Sequence, residues 1–180
     1  GIRHPDFADW EVLHPSRDRV MMILSALSLK EKINVMDIGC HTGYFTYNLR
    51  PYCQSILGVD RSPDYIRIAE KMSVVDPYKI DTRTRPMFRC YSLDDIGKTG
   101  TDYDVVLFLS LFHDLLIEKG EKAWEVFQKI SSITKMMFFD MRDEGDINEV
   151  AKKILHNSSF KYFRFLGRST LARTMVLFEK

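Results

Sequence analysis

Residues Val35 to Gly43 read V-M-D-I-G-C-H-T-G, and this stretch does most to restrict the fold. An apolar run ends on an acid, a glycine follows, and a second glycine comes four positions later at the mouth of the amphipathic segment Tyr44–Leu49. The pattern predicts a strand, a tight turn and a helix start. Glycine is needed where the backbone turns sharply or a ligand lies against the main chain, and the helix start behind it offers unpaired N–H groups. The turn is therefore a candidate ligand grip.

Its ligand can be narrowed further. The dinucleotide fingerprint G-x-G-x-x-G is not met, because only Gly39 and Gly43 are present and His41 sits between them, so a pyrophosphate cradle is not expected. The turn is instead accompanied by two acids: Asp37 just before Gly39, and Asp60 at the end of a second apolar run, Ile56-Leu57-Gly58-Val59. An acid roughly 20 residues after the glycines, at a strand end, is placed to hold ribose hydroxyls. The combination points to a nucleoside without a diphosphate.

Elsewhere the chain alternates between two hydrophobic periods. Val20, Ile23, Leu24 and Leu27 recur at helical spacing behind Pro15 and Ser16, and Ser62-Pro63-Asp64 opens a helix with the apolar face Tyr65, Ile68, Ala69 and Met72. Tyr103–Ser110 is continuously apolar apart from Asp104 and the closing Ser110, as expected of a central strand buried on both faces. Further helical faces fall at Ala123, Val126, Phe127, Ile130 and Ile133 and at Ile147, Val150, Ala151 and Ile154, with an apolar strand Met136–Phe139 between them. Strand–helix alternation predicts an α/β fold: a parallel sheet with helices on both faces, joined by right-handed crossovers. At the end the alternation breaks. Phe160–Leu166 and Arg173–Phe178 are separated only by Gly167–Ala172 and should close the sheet as an antiparallel hairpin.

At 180 residues the chain can bury a sizeable core, and no stretch approaches the roughly 20 apolar residues of a membrane span, so a cytoplasmic protein is expected. Cys40, Cys53 and Cys90 form no C-x-x-C pair, which indicates neither a disulfide framework nor a zinc site. The formal net charge of +1 argues against a protein whose main partner is a phosphate backbone; the local cluster Arg83, Arg85 and Arg89 reads as a solvated loop. The sequence begins at Gly1 without a methionine, as expected of an excised domain or of a tag scar.

With its acid-glycine turn and its second acid after the next strand, the chain resembles the class I, Rossmann-like S-adenosylmethionine-dependent methyltransferases. The resemblance runs from about Ile33 to Lys180, and the departure from the family's pattern is His41 in place of the usual middle glycine. It implies S-adenosyl-L-methionine as cofactor and a core over residues 33–180, preceded by a lid and helix segment over 1–32. The methionine part would meet Asp37, Gly39, Cys40, His41 and Gly43, and the ribose Asp60 with Arg61 beside it. Tyr91, Ser92 and Leu93, with Asp94, would frame the adenine. Cys40 is also expected simply to fill space.

The loop Ser110-Leu111-Phe112-His113-Asp114 follows the fourth strand, and ligands in open α/β sheets bind outside the carboxyl ends of the strands. A similar S-x-x-H stretch occurs in many small-molecule and glycan methyltransferases, the nearest likeness being the methyltransferase domain of O-antigen chain-terminating enzymes. Bicoid-interacting-type RNA-end methyltransferases are a second likeness. Neither the N/D-P-P-Y/F tetrad of adenine-N6 enzymes nor the Pro-Cys pair of cytosine-C5 enzymes follows this strand, so nucleic acid is not the favoured acceptor.

The resemblance implies methyl transfer to an oxygen of a glycan or small molecule, with Ser110 at the cofactor and His113 as general base. A neutral imidazole with a pKa near about 6.5 suits proton removal from a hydroxyl. A helix-capping or packing role for His113 is the competing reading, and Asp114 would either orient the imidazole or cap the following helix, the cap being preferred. His4, Phe7, Trp10, His14 and Arg17 are expected in a lid over the cofactor or, alternatively, over a core edge, and Arg142, Asp143 and Glu144 lie at the predicted rim. Two other classes share the scaffold: a nicotinamide-dependent oxidoreductase, which should carry the missing third glycine, and a non-catalytic scaffolding module of a larger protein.

Overall fold

The computed structural model describes residues 16–27, 32–74, 85–97, 102–143 and 145–180. Helix α1 (Arg17–Ala26) leads into strand β1 (Ile33–Ile38), α2 (Tyr44–Leu49), β2 (Cys53–Asp60), α3 (Pro63–Val74) and β3 (Met87–Cys90). Then come β4 (Tyr103–Phe108), α4 (Phe112–Lys119), α5 (Glu125–Ile133), β5 (Thr134–Arg142), α6 (Ile147–His156), β6 (Tyr162–Arg168) and β7 (Arg173–Glu179).

The strands form a sheet in the order β3-β2-β1-β4-β5-β7-β6. Strands β1 to β5 pair in parallel, and β7 lies antiparallel between β5 and β6. The chain builds outward from β1 through β2 to β3, then returns to lay β4 on the other side of β1. This reversal is a topological switch point. Two successive connections leave in opposite directions there, which opens a crevice above the carboxyl ends of β1 and β4.

Period-two alternation assigns the core to two faces. Met36, Ile38, Val106, Phe108, Met137, Phe139, Val176 and Phe178 pack against Phe112 and Leu115 of α4, Phe127 and Ile130 of α5 and Ile154 of α6. Val35, Val105, Leu107, Phe138, Met175 and Leu177 face the other way, onto Val20 and Ile23 of α1 and Leu49 of α2. Cys40, Tyr47, Ile66, Ala69 and Phe88 form a smaller cluster beside the glycine turn.

Three expectations shift. In α3 the buried residue of the first turn is Ile66, while Tyr65 is exposed. Consecutive apolar residues at 65 and 66 allow either helical phase; the aliphatic Ile66 takes the buried one, and Tyr65 lies against the His41 ring at the surface. The penultimate strand begins at Tyr162; Phe160 is buried against Phe178 just before it. The cap position of α4 is Leu111, so Asp114 lies inside the first turn, its charge near the positive helix end but making no cap hydrogen bond.

Candidate functional site

The turn between β1 and α2 carries three successive left-handed positions, Gly39 at φ 70°, His41 at φ 51° and Gly43 at φ 88°. The amides of Gly39 and Cys40 both donate to the Val59 carbonyl, at 2.8 and 3.0 Å, which ties the turn to the end of β2. At Gly43 a Cβ would stand 2.8 Å from the Tyr47 ring and 2.9 Å from that of Phe88, so both conformation and space require glycine. A left-handed conformation is disfavoured for His41 and needs support from its surroundings. Its N–H donates to Asp60 Oδ2 at 2.9 Å, and its ring lies on Tyr65 with centroids 3.7 Å apart. These two contacts explain how histidine replaces the usual glycine. Partial burial lowers the imidazole pKa, with Asp60 acting in the opposite direction.

The two acids differ in environment. Asp37 is buried and accepts from the Thr46 N–H at 3.1 Å and the Thr46 hydroxyl at 2.6 Å, which anchors the first turn of α2. Burial pushes its pKa up to about 7; the Thr46 hydrogen bonds oppose that rise and the charge of Asp60 adds to it. Asp60, half-buried at the carboxyl end of β2, receives the His41 N–H on one oxygen and the Ser62 N–H, at 2.9 Å, on the other. A carboxylate has about four acceptor positions, so two stay open after these contacts. Two fixed N–H groups hold Asp60 ready for further donors such as ribose hydroxyls, and in this respect the residues fit a nucleoside cofactor.

The other expected contacts vary in kind. The Cys40 side chain is buried and packs at Gly58, where a Cβ would lie 3.0 Å from its sulfur; burial raises the thiol pKa. Cys40 thus fills space, and only its backbone belongs to the turn. Arg61 is exposed and pairs with Glu118 of α4 at 2.7 Å. Ser92 caps a 3-10 turn, Leu93–Asp95, through a reciprocal capping box with Asp95, while Leu93 packs against the core and Tyr91 donates its N–H to the Asp60 carbonyl. Asp94 pairs with Lys119 at 3.0 Å. The segment after β3 is therefore tied both to β2 and to α4.

Across the crevice, Ser110 also stands in the left-handed region, at φ 62°. Its N–H donates to Asp140 Oδ1 at 2.7 Å and its hydroxyl accepts from the Arg19 guanidinium at 2.9 Å. Arg19 also pairs with Asp140 at 2.6 Å, and Arg173 approaches Asp140 from the other side at 3.3 Å. Arg19 lies over the Phe45 ring as well, 5.0 Å from its centroid. Neither Arg19 nor Asp140 was among the expected site residues. Asp140 did carry a signal, since like Asp37 and Asp60 it is an acid closing an apolar run; Arg19 carried none, lying beside an apolar helix stripe.

His113 is exposed in the first turn of α4 and makes no hydrogen bond among the described residues. Asp143 is engaged by the hairpin, pairing with Arg168 and accepting the Thr174 hydroxyl, and Arg85 and Arg89 are exposed. Glu144, Arg83 and the expected lid residues His4, Phe7, Trp10 and His14 lie outside the described residues. No helix among the described residues is long and apolar enough to cross a membrane.

Residues 36–136, more than half of the chain, match the family model described as a methyltransferase domain. An uncharacterized methyltransferase of Schizosaccharomyces pombe is 27% identical over 152 residues, covering 73% of this chain and 49% of that protein. The bifunctional kinase-methyltransferase WbdD superposes with a TM-score of 0.75 at 18% identity, over 98% of this chain and 42% of its own. Magnesium protoporphyrin IX methyltransferase of Synechocystis PCC 6803, solved with bound S-adenosylmethionine, gives a TM-score of 0.69 at 17% identity, over 91% of this chain and 77% of its own. The chain thus spans about half the length of the yeast relative and less than half of WbdD. From the matched segment and the fold together, the chain belongs to the methyltransferase domain family, with the class I, Rossmann-like architecture of the S-adenosylmethionine-dependent enzymes.

Proposed function

We propose that this chain binds S-adenosylmethionine in the crevice above β1, β2 and β4 and transfers its methyl group to a hydroxyl oxygen of a glycan or small molecule. The observation that carries the reading is Asp60, a carboxylate fixed by the backbone amides of His41 and Ser62 with acceptor positions to spare, beside a turn that glycine alone can make at position 43. Membership of the family supports the cofactor.

In this reading the cofactor supplies a methyl group on a sulfonium, already a good leaving group. Asp60 accepts the ribose hydroxyls, and the Gly39–Gly43 turn borders the amino-acid end. Ser92 and Leu93 border the base, and Ser110 borders the crevice from the β4 side. Holding acceptor and methyl in attack geometry can itself supply much of the acceleration. His113, exposed at the start of α4 two residues beyond Leu111, takes the acceptor proton.

Calorimetry with S-adenosylmethionine and S-adenosylhomocysteine tests the cofactor reading. The parent chain should bind both, and Asp60→Ala should weaken binding by about 1.5–3 kcal/mol, the range for hydrogen bonds to a charged group. No binding by the parent, or an unchanged constant in the variant, would reject it.

A further inference from the structure

Three groups from distant parts of the chain meet where the loop after β4 begins. Ser110 adopts a left-handed conformation that a residue with a Cβ keeps only when its surroundings impose it. The constraint comes from Asp140, which accepts the Ser110 N–H, and from Arg19, which donates to the Ser110 hydroxyl and pairs with the same Asp140. Asp140 is wholly buried and the Arg19 side chain is only 6% exposed. The next residue, Leu111, lays its side chain directly on the glycine turn: a Cβ at Gly39 would come within 2.5 to 3.0 Å of three Leu111 carbons. An unbroken path therefore runs from the buried ion pair through the Ser110 backbone to the surface of Gly39.

We propose that Arg19 and Asp140 are positioning residues for the donor crevice: they hold Ser110 left-handed and so set how Leu111 sits over Gly39, at the lip between the turn after β1 and the loop after β4. The proposal rests on the cofactor reading above. A buried ion pair contributes little net stability compared with apolar groups of similar size, whereas it can specify one conformation. Each member of the pair also makes one hydrogen bond to Ser110, the one residue of this loop with a positive φ, besides the contacts of Arg19 with Ser16 and Phe45 and of Asp140 with Arg173. A role in stability alone would change melting without changing cofactor affinity in a folded variant.

The test replaces both charges in the full chain, Arg19→Met with Asp140→Val, so that neither member of the pair is left alone; Arg173 loses its Asp140 contact but is still 16% exposed to solvent. The variant should melt close to the parent, bind S-adenosylmethionine roughly tenfold to a hundredfold more weakly, a cost of the size that loss of an outer orienting partner has at other binding sites, and exchange its amides faster at residues 110–113. Adding Ser110→Gly, which makes the left-handed conformation accessible without the latch, should recover much of the affinity. A folded double variant with parental affinity and parental exchange at 110–113 overturns the proposal. If the double variant does not fold, Asp140→Asn, of equal size, is read by the same two measurements. If the parent itself binds no S-adenosylmethionine, the cofactor reading fails separately and amide exchange decides the latch: faster exchange in the variant supports it, and unchanged exchange overturns it.

Discussion

Asp37 sits beneath the glycine turn with its pKa raised from 3.8 to about 7 by burial, so between those two values the folded protein keeps a proton that the unfolded chain has lost. Stability from this group is therefore fully present below about pH 4 and falls as the pH rises toward 7. Asp37→Asn should flatten that part of the curve, seen as a smaller fall in denaturant midpoint from pH 4 to pH 7 than in the parent. Comparison with the parent is needed because Asp18, Asp94 and Asp104, whose pKa values are lowered, contribute the opposite slope at acid pH. His113 is the second residue-scale case. Its exposure and its lack of hydrogen bonds among the described residues mean that His113→Ala should leave melting and cofactor affinity nearly unchanged, while turnover with a hydroxyl acceptor falls by about 10²–10⁴-fold and the acidic limb of the pH–rate profile disappears. Full turnover in the variant would leave positioning as the source of catalysis. Gly43 completes the set: Gly43→Ala forces a Cβ into the left-handed region and against two rings, and a loss of at least about 1–2 kcal/mol is expected in a denaturant titration.

Among the elements, α5 with the 3-10 turn before it was the most legible, since Ala123 in that turn and Val126, Phe127, Ile130 and Ile133 in the helix repeat at helical spacing and all are buried. Phe127 meets Phe108, Phe112 and Phe139 edge-on or tilted at 5.4 to 6.1 Å, and Phe127→Ala should cost about 3–5 kcal/mol in a denaturant titration. The phase of α3 was not legible, because Tyr65 and Ile66 can each head an apolar face; the aliphatic Ile66 takes the buried position, and Tyr65 with its hydroxyl stays exposed beside the His41 ring. Helix α4 was anticipated only as a helix following the loop. Its carboxyl end is tied to the segment after β2 by Arg61–Glu118 and to that after β3 by Lys119–Asp94. The first pair is exposed on both sides, so Glu118→Ala should change stability by no more than about 0.2–1 kcal/mol, with any effect fading at high salt.

For the molecule as a whole, the sheet order gathers four loops from separate parts of the sequence at one edge: the turn after β1, Asp60 after β2, Ser92 and Leu93 after β3, and Ser110 after β4. Cofactor that binds only the folded chain should raise the melting temperature by mass action; saturation at about 100 times the dissociation constant corresponds to about 2.7 kcal/mol. An unchanged melting temperature at saturating S-adenosylmethionine would argue against a site formed by folding. What the sequence alone determined is what is encoded over short distances: the strand–turn–helix at Val35–Gly43, the acid ending β2, the alternation of strand and helix, and the closing hairpin. Each rests on a period of two or of 3.6 residues, or on a turn residue with one permitted conformation. Contacts between distant residues left no such trace. The pairing of Arg19 with Asp140, 121 residues apart, the seating of Leu111 on Gly39 and the raised pKa of Asp37 follow from burial and from neighbours that only the folded sheet supplies, and the tertiary structure alone decided them.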